Sequence, residues 1–148
     1  MDFEKYMNMA LALAREAAEH GEVPVGCIVT DETGDVIGMG RNRCVEQGNQ
    51  LAHAEMEALA AAARARRDWR LDGCTLFVTL EPCPMCAGAI INSRISTLVY
   101  GAREERTGSC ASVINLFEER YPCRPAIYAG VLAQECADVL RDFFSALR

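Results

Sequence analysis

Lysine is nearly absent from this 148-residue chain: one Lys stands beside fourteen Arg, and with 21 acidic residues the formal net charge is −6. That balance argues against a general nucleic-acid binder, whose footprint is a basic surface. No apolar run approaches the roughly 20 residues needed to cross a bilayer, so no membrane partner is expected. Met1-Asp2-Phe3-Glu4 lacks a basic segment leading into an apolar stretch. A signal peptide is therefore not expected, and a soluble, cytoplasmic protein is. Repeats, low-complexity tracts and linkers are missing as well. With 51% hydrophobic residues, a chain of this length is expected to form one domain, residues 1–148, around a single core.

Eight cysteines invite a disulfide reading, but their spacing argues against it. Cys27, Cys74 and Cys136 sit inside apolar segments, where a free cysteine behaves as a small core residue. Cys44, Cys110 and Cys123 fall in loop-like contexts and receive no role. Only Cys83 and Cys86 form a close pair, and in a reducing compartment such a pair points to metal binding or redox chemistry.

Along the chain, Phe3, Tyr6, Met7, Ala10, Leu13, Ala14, Ala17 and Ala18 recur at helical spacing until Gly21. Val23 to Thr30 and Val36 to Gly40 read as a hairpin about the turn Asp31-Glu32-Thr33-Gly34. Residues 42–51 read as irregular, and Ala52 to Arg67 as a second long helix. Cys74 to Leu80 reads as a strand buried on both faces. A helix from Pro84 to about Ser93 follows, with Pro at its first turn. Then come a strand at Thr97–Tyr100, a loop from Gly101 to Ser112, a short helical piece near Val113–Phe117, a weak strand at Ala126–Ala129, and a closing helix from Leu132 to Leu147. The alternation implies one α/β domain with a mixed five-stranded sheet flanked by helices in three layers.

Histidine is scarce too, with only His20 and His53. His20 ends the first helix, where the helix dipole is a sufficient explanation. His53 belongs to His53-Ala54-Glu55, followed after 26 residues by Pro82-Cys83 and then Cys86. A zinc ribbon would need a second C-x-x-C pair, which is missing, and a redox pair would not require His-Ala-Glu. The set supplies three soft ligands and one carboxylate that is not needed as a ligand. A structural zinc closes its shell with four protein ligands, whereas a catalytic zinc keeps one position for water. Completing the shell with Cys44 or Cys110 would leave Glu55 without a task. Both segments should lie on the first turns of helices, whose positive ends would help hold Cys83 and Cys86 as thiolates. The pattern therefore points to metal-assisted hydrolysis, with Glu55 moving protons.

At these residues the chain resembles the zinc-dependent cytidine deaminase-like superfamily, of which H-x-E…P-C-x-x-C is the known signature, and within it the bacterial tRNA-specific adenosine deaminases. The likeness extends over Gly21-Glu22-Val23-Pro24-Val25-Gly26, Leu51-Ala52-His53-Ala54-Glu55, Trp69-Arg70-Leu71, Val78 to Ala89, Tyr100-Gly101-Ala102-Arg103, Gly130-Val131-Leu132 and Asp142-Phe143-Phe144. The resemblance implies one Zn²⁺ per chain on His53, Cys83 and Cys86, with Glu55 as proton shuttle. It further implies substrate contacts from Asn42, the backbone at Ala52, Arg103, Glu104, Phe143 and Phe144, the anticodon loop of a tRNA as partner, conversion of a flipped wobble adenosine to inosine, and a homodimer. From the residues alone, Phe143 and Phe144 read as core or helix-face residues and Asn42 as a turn residue.

The departures from the family pattern fall in segments that face substrate. Gln50-Leu51 replaces the usual Pro-Thr, Glu104 the usual Asp, Arg106 the usual Lys, and Pro122-Cys123-Arg124 the usual Asn-His-Arg, and a basic C-terminal tail is missing. Two alternatives to tRNA deamination remain open at this point. One is a deaminase of a free nucleobase or nucleoside (guanine, cytosine or adenine); the other is a non-catalytic zinc-bound subunit, which would typically lose Glu55. An RNA substrate requires Arg103, Arg106, Arg124 and Arg148 to line one groove. The cluster Arg64, Arg66, Arg67 and Arg70 reads either as further RNA contact or as a solvated helix end.

Overall fold

The computed structural model describes residues 1–148. Helix α1 (Phe3–Glu19) starts where the Asp2 carboxylate accepts the Lys5 N–H at 3.2 Å, satisfying one orphan donor of the first turn. It buries Tyr6, Met7, Ala10, Ala14 and Ala17 of the expected stripe, and Leu11 beside them, while Phe3, Leu13 and Ala18 are only partly covered. Gly21 at φ 75° ends it, letting the N–H groups of Gly21 and Glu22 reach back to Ala18 and Ala17 at 3.0 Å.

Strands β1 (Gly26–Thr30), β2 (Val36–Arg41), β3 (Thr75–Leu80), β4 (Thr97–Ala102) and β5 (Ala126–Ala129) form one sheet in the order β2-β1-β3-β4-β5. β1 runs antiparallel to both neighbours, and β3, β4 and β5 are mutually parallel. The C-terminal ends of β2, β3, β4 and β5 therefore share one edge with the start of β1. The remaining helices are α2 (Cys44–Gln47), α3 (Ala54–Arg66), α4 (Pro84–Asn92) and α5 (Ala133–Ala146), with a 3₁₀ turn at Leu116–Glu118.

Alternation along the strands sorts the core into two halves. Cys27, Val29, Leu76, Val78, Leu98 and Tyr100 pack with α3 and α4, while Ile28, Phe77 and Val99 pack with α1 and with Cys136 of α5. This is the three-layer, mixed five-stranded α/β arrangement expected, with β3 buried on both faces. Helix α3 sits unusually close to β2: a Cβ on Gly38 or Gly40 would run into the Ala58 or Ala54 carbonyl. The alanine row Ala54, Ala58, Ala62 is thus what lets the helix carrying Glu55 lie flat on the strand.

Several expected boundaries differ: α3 begins at Ala54 rather than Ala52, β4 runs on to Ala102 rather than stopping at Tyr100, and three further differences have a local cause. The first strand begins at Gly26 rather than Val23, because Pro24 has no N–H and the Val25 N–H turns back to the Val23 carbonyl at 2.9 Å. Residues 42–51 contain the short helix α2, organised from a distance: Glu22 accepts the N–H groups of Val45 and Glu46 at 3.0 and 2.7 Å. The piece expected near 113–117 is the 3₁₀ turn 116–118, started by Asn115 accepting the Phe117 N–H at 3.1 Å.

Candidate active site

His53 and Cys83 occupy the N-cap positions of α3 and α4, one residue before the first turns on which they were expected. Both are extended, and neither side chain caps its own helix, so both are free to turn towards each other. Asn42 supplies the missing cap for α3 from outside, its Oδ1 accepting the Ala54 N–H at 2.9 Å. The His53 Nδ1 lies 3.7 Å from Cys83 Sγ and 3.5 Å from Cys86 Sγ. One ligand atom from each of the three residues falls within 4.8 Å of the other two. Neither Cys44 nor Cys110 joins this cluster.

The two thiols differ from one another. A hydrogen bond from Cys86, then one from His53, brings the Cys83 thiol down to about 4. Its bond to Cys83, with burial, pushes Cys86 well up. Two thiolates side by side would repel, so in the protein alone they share one proton, which a divalent cation would displace. The bond to Cys83 raises the His53 imidazole. Two thiols and an imidazole make a soft, three-member donor set of the kind zinc takes at open sites, so the residues fit the ion that the signature implies.

A cavity of about 270 Å³ lies against this cluster, walled by Glu22, Val23, Asn42, Val45, His53, Glu55, Leu80, Glu81, Cys83, Glu104 and Thr107 among others. Glu55 is 4% exposed. Burial raises its carboxyl to about 7, outweighing the opposing influence of its own N–H, His53 and Cys86. Glu81 is 2% exposed, and its oxygens accept the N–H groups of Glu104, Cys110 and Ser112 at 3.1, 3.0 and 3.0 Å, with the Ser112 hydroxyl as a fourth donor. Burial alone would raise Glu81, but these bonds outweigh it and hold the carboxyl below its usual range.

The cavity shares Val23, Leu80 and Glu104 with a second hollow of about 560 Å³. Arg103, Arg106, Arg141, Arg148 and Phe144 line that hollow, with Phe144 39% exposed. Arg103, Arg106 and Arg148 thus meet in one groove, joined by Arg141, while Arg124 instead donates to the Glu118 and Glu119 carbonyls at 3.1 and 3.0 Å. Phe143 lies outside the groove, edge-on to Phe144 at 5.3 Å. Asn42 lines the first cavity with one amide hydrogen given to the Val23 carbonyl at 3.0 Å. Ala52 is buried away from both cavities: its N–H bonds to the Asn49 carbonyl at 3.1 Å and its carbonyl accepts from Arg43 at 2.9 Å. The 64–70 cluster is a solvated helix end, with Arg66 paired to Glu32 and Arg70 to Asp68.

Sequence reasoning assigned no role to Glu22, Glu81 or Arg141. The only available signal was a carboxylate embedded in an apolar segment, Glu22-Val23-Pro24-Val25 and Thr79-Leu80-Glu81-Pro82. Such a residue is expected to be paired when buried, but the partners lie more than 20 residues away.

A family model described as MafB19-like deaminase matches residues 1–148. A tRNA-specific adenosine deaminase of Bacillus subtilis is 42% identical over 146 residues, spanning 98% of this chain and 90% of its own. A tRNA(Ile)-lysidine synthase of Deinococcus radiodurans is 45% identical over 142 residues, and there the match spans 96% of this chain but only 24% of the relative. Among solved structures, one from studies of A-to-I editing by tRNA:A34 deaminases superposes with a TM-score of 0.89 at 39% identity, over 92% of this chain and 99% of the other. A guanine deaminase from Nitrosomonas europaea superposes with a TM-score of 0.78 at 27% identity, over 96% and 84%. With the signature residues gathered at one cavity, and with the Bacillus subtilis deaminase and the tRNA:A34 deaminase structure matched over nine-tenths or more of their length, the chain belongs to the tRNA-specific adenosine deaminases, zinc-signature enzymes of the cytidine deaminase-like fold.

Proposed function

We propose that this chain hydrolyses adenosine to inosine and ammonia at the wobble position of a tRNA, with one zinc ion held by His53, Cys83 and Cys86. The observation that carries the reading is the joining of two spaces. A cavity holding Glu55 and the three donors opens, past Glu104, into a groove lined by four arginines and Phe144. A zinc ion bound there supplies Lewis acidity and a water nucleophile at neutral pH.

Glu55 does the proton work. Buried beside the three donors, with its carboxyl raised above the usual range, it can take a proton from the attacking water and give it to ring N1, then take the remaining proton of the added hydroxyl and give it to the departing amine. Asn42, fixed by two hydrogen bonds, retains a second amide hydrogen and a second lone pair facing the cavity for the nucleoside. The arginines can fork onto phosphates on either side of a flipped nucleotide, and Phe144 offers a face on which a neighbouring base can stack. An acidic protein can bind RNA in this way because four of its arginines meet at the mouth of the site, where they outnumber the two glutamates Glu104 and Glu105 that line it with them. With the reading go the roles expected of Arg103 and Glu104 at that mouth and a homodimer, which rest on the family resemblance, and a single deaminase domain over residues 1–148 in a cytoplasmic setting, which rest on the chain's length and composition.

The free-base alternative uses the first cavity equally well, but a free base has no phosphate for the groove. The test is inosine formation by zinc-loaded protein on an anticodon stem-loop with adenosine at the wobble position, with Glu55→Ala as blank. Conversion by the wild type alone supports the proposal. Failure of metal-replete wild type, with turnover of guanine, cytosine or adenine, replaces it.

A further inference from the structure

Glu81 and the loop it holds stand apart from the chemistry just described. The carboxylate lies at the end of β3, buried, and has no place among the metal donors. Four donors converge on it: the N–H groups of Glu104, Cys110 and Ser112, and the Ser112 hydroxyl. All lie in one irregular segment that leaves β4 at Ala102. That fills the lone pairs of both oxygens and leaves Glu81 nothing to offer a substrate.

The same segment carries Arg103, Glu104 and Arg106, which line the groove, and Thr107, which lines the cavity. Gly108 closes against the carboxylate so tightly that a Cβ there would overlap both the Glu81 carboxyl and the Glu104 carbonyl. The loop is otherwise tied to the strand ends by the Ser109 N–H to the Pro82 carbonyl and the Glu81 N–H to the Ala102 carbonyl, both at 2.8 Å.

We infer that Glu81 is a positioning residue for substrate selection: its buried carboxylate gathers residues 104–112 into the wall that places Arg103, Glu104 and Arg106 at the mouth of the site. An irregular loop has no ladder to hold it, so one saturated acceptor does what a strand partner would do elsewhere. The role is separate from metal retention and from proton transfer. It governs binding of a polynucleotide that reaches beyond the cavity, and in that respect it rests on the proposed tRNA reading.

The test compares wild type with Glu81→Gln on the anticodon stem-loop, with bound zinc and amide hydrogen exchange measured on the same samples. Gln keeps the size of the side chain but replaces one acceptor oxygen with a donor, which must repel an N–H. KM should rise about tenfold or more while kcat stays within about threefold, the signature of lost uniform binding. Zinc content should hold, and faster exchange should be confined to residues 103–112. Gly108→Ala perturbs the same contact from the loop side and should give the same KM-against-kcat split. The double variant should fall well short of the product of the two effects, because both break one unit. A drop in kcat at constant KM, unchanged exchange in the loop, or multiplicative effects would overturn the inference. If wild type fails to convert the stem-loop, the tRNA reading falls, and the exchange measurement alone still decides whether Glu81 holds the loop.

Discussion

Two glutamates, Glu55 and Glu81, are buried against the same cavity at almost equal depth, 4% and 2% exposed, and their carboxyls are driven in opposite directions. Glu55, on the first turn of α3, meets no such cluster of donors, so the cost of burying charge dominates and its carboxyl rises to about 7. Glu81 meets three N–H groups and a hydroxyl, and despite burial its carboxyl falls. Depth is common to both and donors are not. A buried carboxylate short of partners is poised to trade a proton, whereas one with every lone pair filled is an anchor. Glu22, 1% exposed, likewise organises a distant segment lining the cavity by accepting the N–H groups of Val45 and Glu46.

The sharpest way to break this comparison is to remove the charge from Glu55 while keeping its shape. Glu55→Gln should lower kcat/KM on the stem-loop about 10²–10⁴-fold, the usual worth of a general acid–base. It should not cost stability, because an amide carries no charge to bury. Raised above its unfolded value, the Glu55 carboxyl contributes stability that is complete below the ordinary carboxylate range and lost as pH rises through about 7. In chelator-treated protein, the melting temperature of wild type should therefore fall relative to Glu55→Gln between pH 5 and 8. Equal melting profiles across that range would place Glu55 among the anchors.

Next in size is the loss of the Glu81 anchor itself. Glu81→Ala leaves three N–H groups without their acceptor and should cost roughly 2–4 kcal/mol in urea unfolding. The same change at Glu55 should cost far less. A Glu81→Ala cost below about 1 kcal/mol would mean that backbone bonds such as Ser109 to Pro82 hold the loop unaided.

These two residues also mark what the sequence makes legible. His53, Glu55, Cys83 and Cys86 form a pattern because metal and proton chemistry demand particular residue types at short spacing, and helix starts deliver that spacing. The sheet, its mixed direction and the long helices follow from periodicity of two and of three to four, so their order could be read directly. Helix α2 and the wall at 104–112 could not, since each is held by a carboxylate more than 20 residues away and neither has a repeating pattern. Asn42 shows the same limit. Its local context suggests a turn, while in the fold it caps a helix that begins twelve residues later because His53 is turned to the thiols instead. Arg141 pairs on its own helix with Asp138 and Asp142 at 2.8 and 3.4 Å and also lines the groove, a position that no local pattern marks.

That groove supplies a smaller effect on the binding side of the comparison. Arg141→Ala and Arg148→Ala should each raise KM for the stem-loop several-fold and leave kcat nearly unchanged, as lost phosphate contacts do. Each should also reduce the slope of log affinity against log salt by about 0.7, the value for one phosphate of a single strand. Arg124→Ala, with its guanidinium turned to the Glu118 and Glu119 carbonyls, should leave that slope alone.

The smallest effect tests whether saturation alone makes an anchor or whether burial is also required. Asp31 is a solvent-facing counterpart of Glu81 with one oxygen filled: at the β1–β2 turn its Oδ1 alone accepts the Thr33 and Asp35 N–H groups at 2.9 and 3.0 Å and the Thr33 hydroxyl at 2.7 Å. Its carboxyl is lowered, chiefly by the hydrogen bond from the Thr33 hydroxyl. A lowered carboxyl contributes stability that is present above its unfolded value and lost as pH falls through the folded one, so the gain should be intact at pH 7 and vanish in acid. Asp31→Asn keeps an acceptor oxygen in place and removes only the charge. Its melting temperature should lie slightly below that of wild type at neutral pH and meet it below the usual aspartate range. The gap should be small because water competes for each donor, as it cannot at Glu81. A deficit as large as that of Glu81→Gln would show that filled lone pairs suffice. A vanishing one would show that burial turns the same geometry into an anchor.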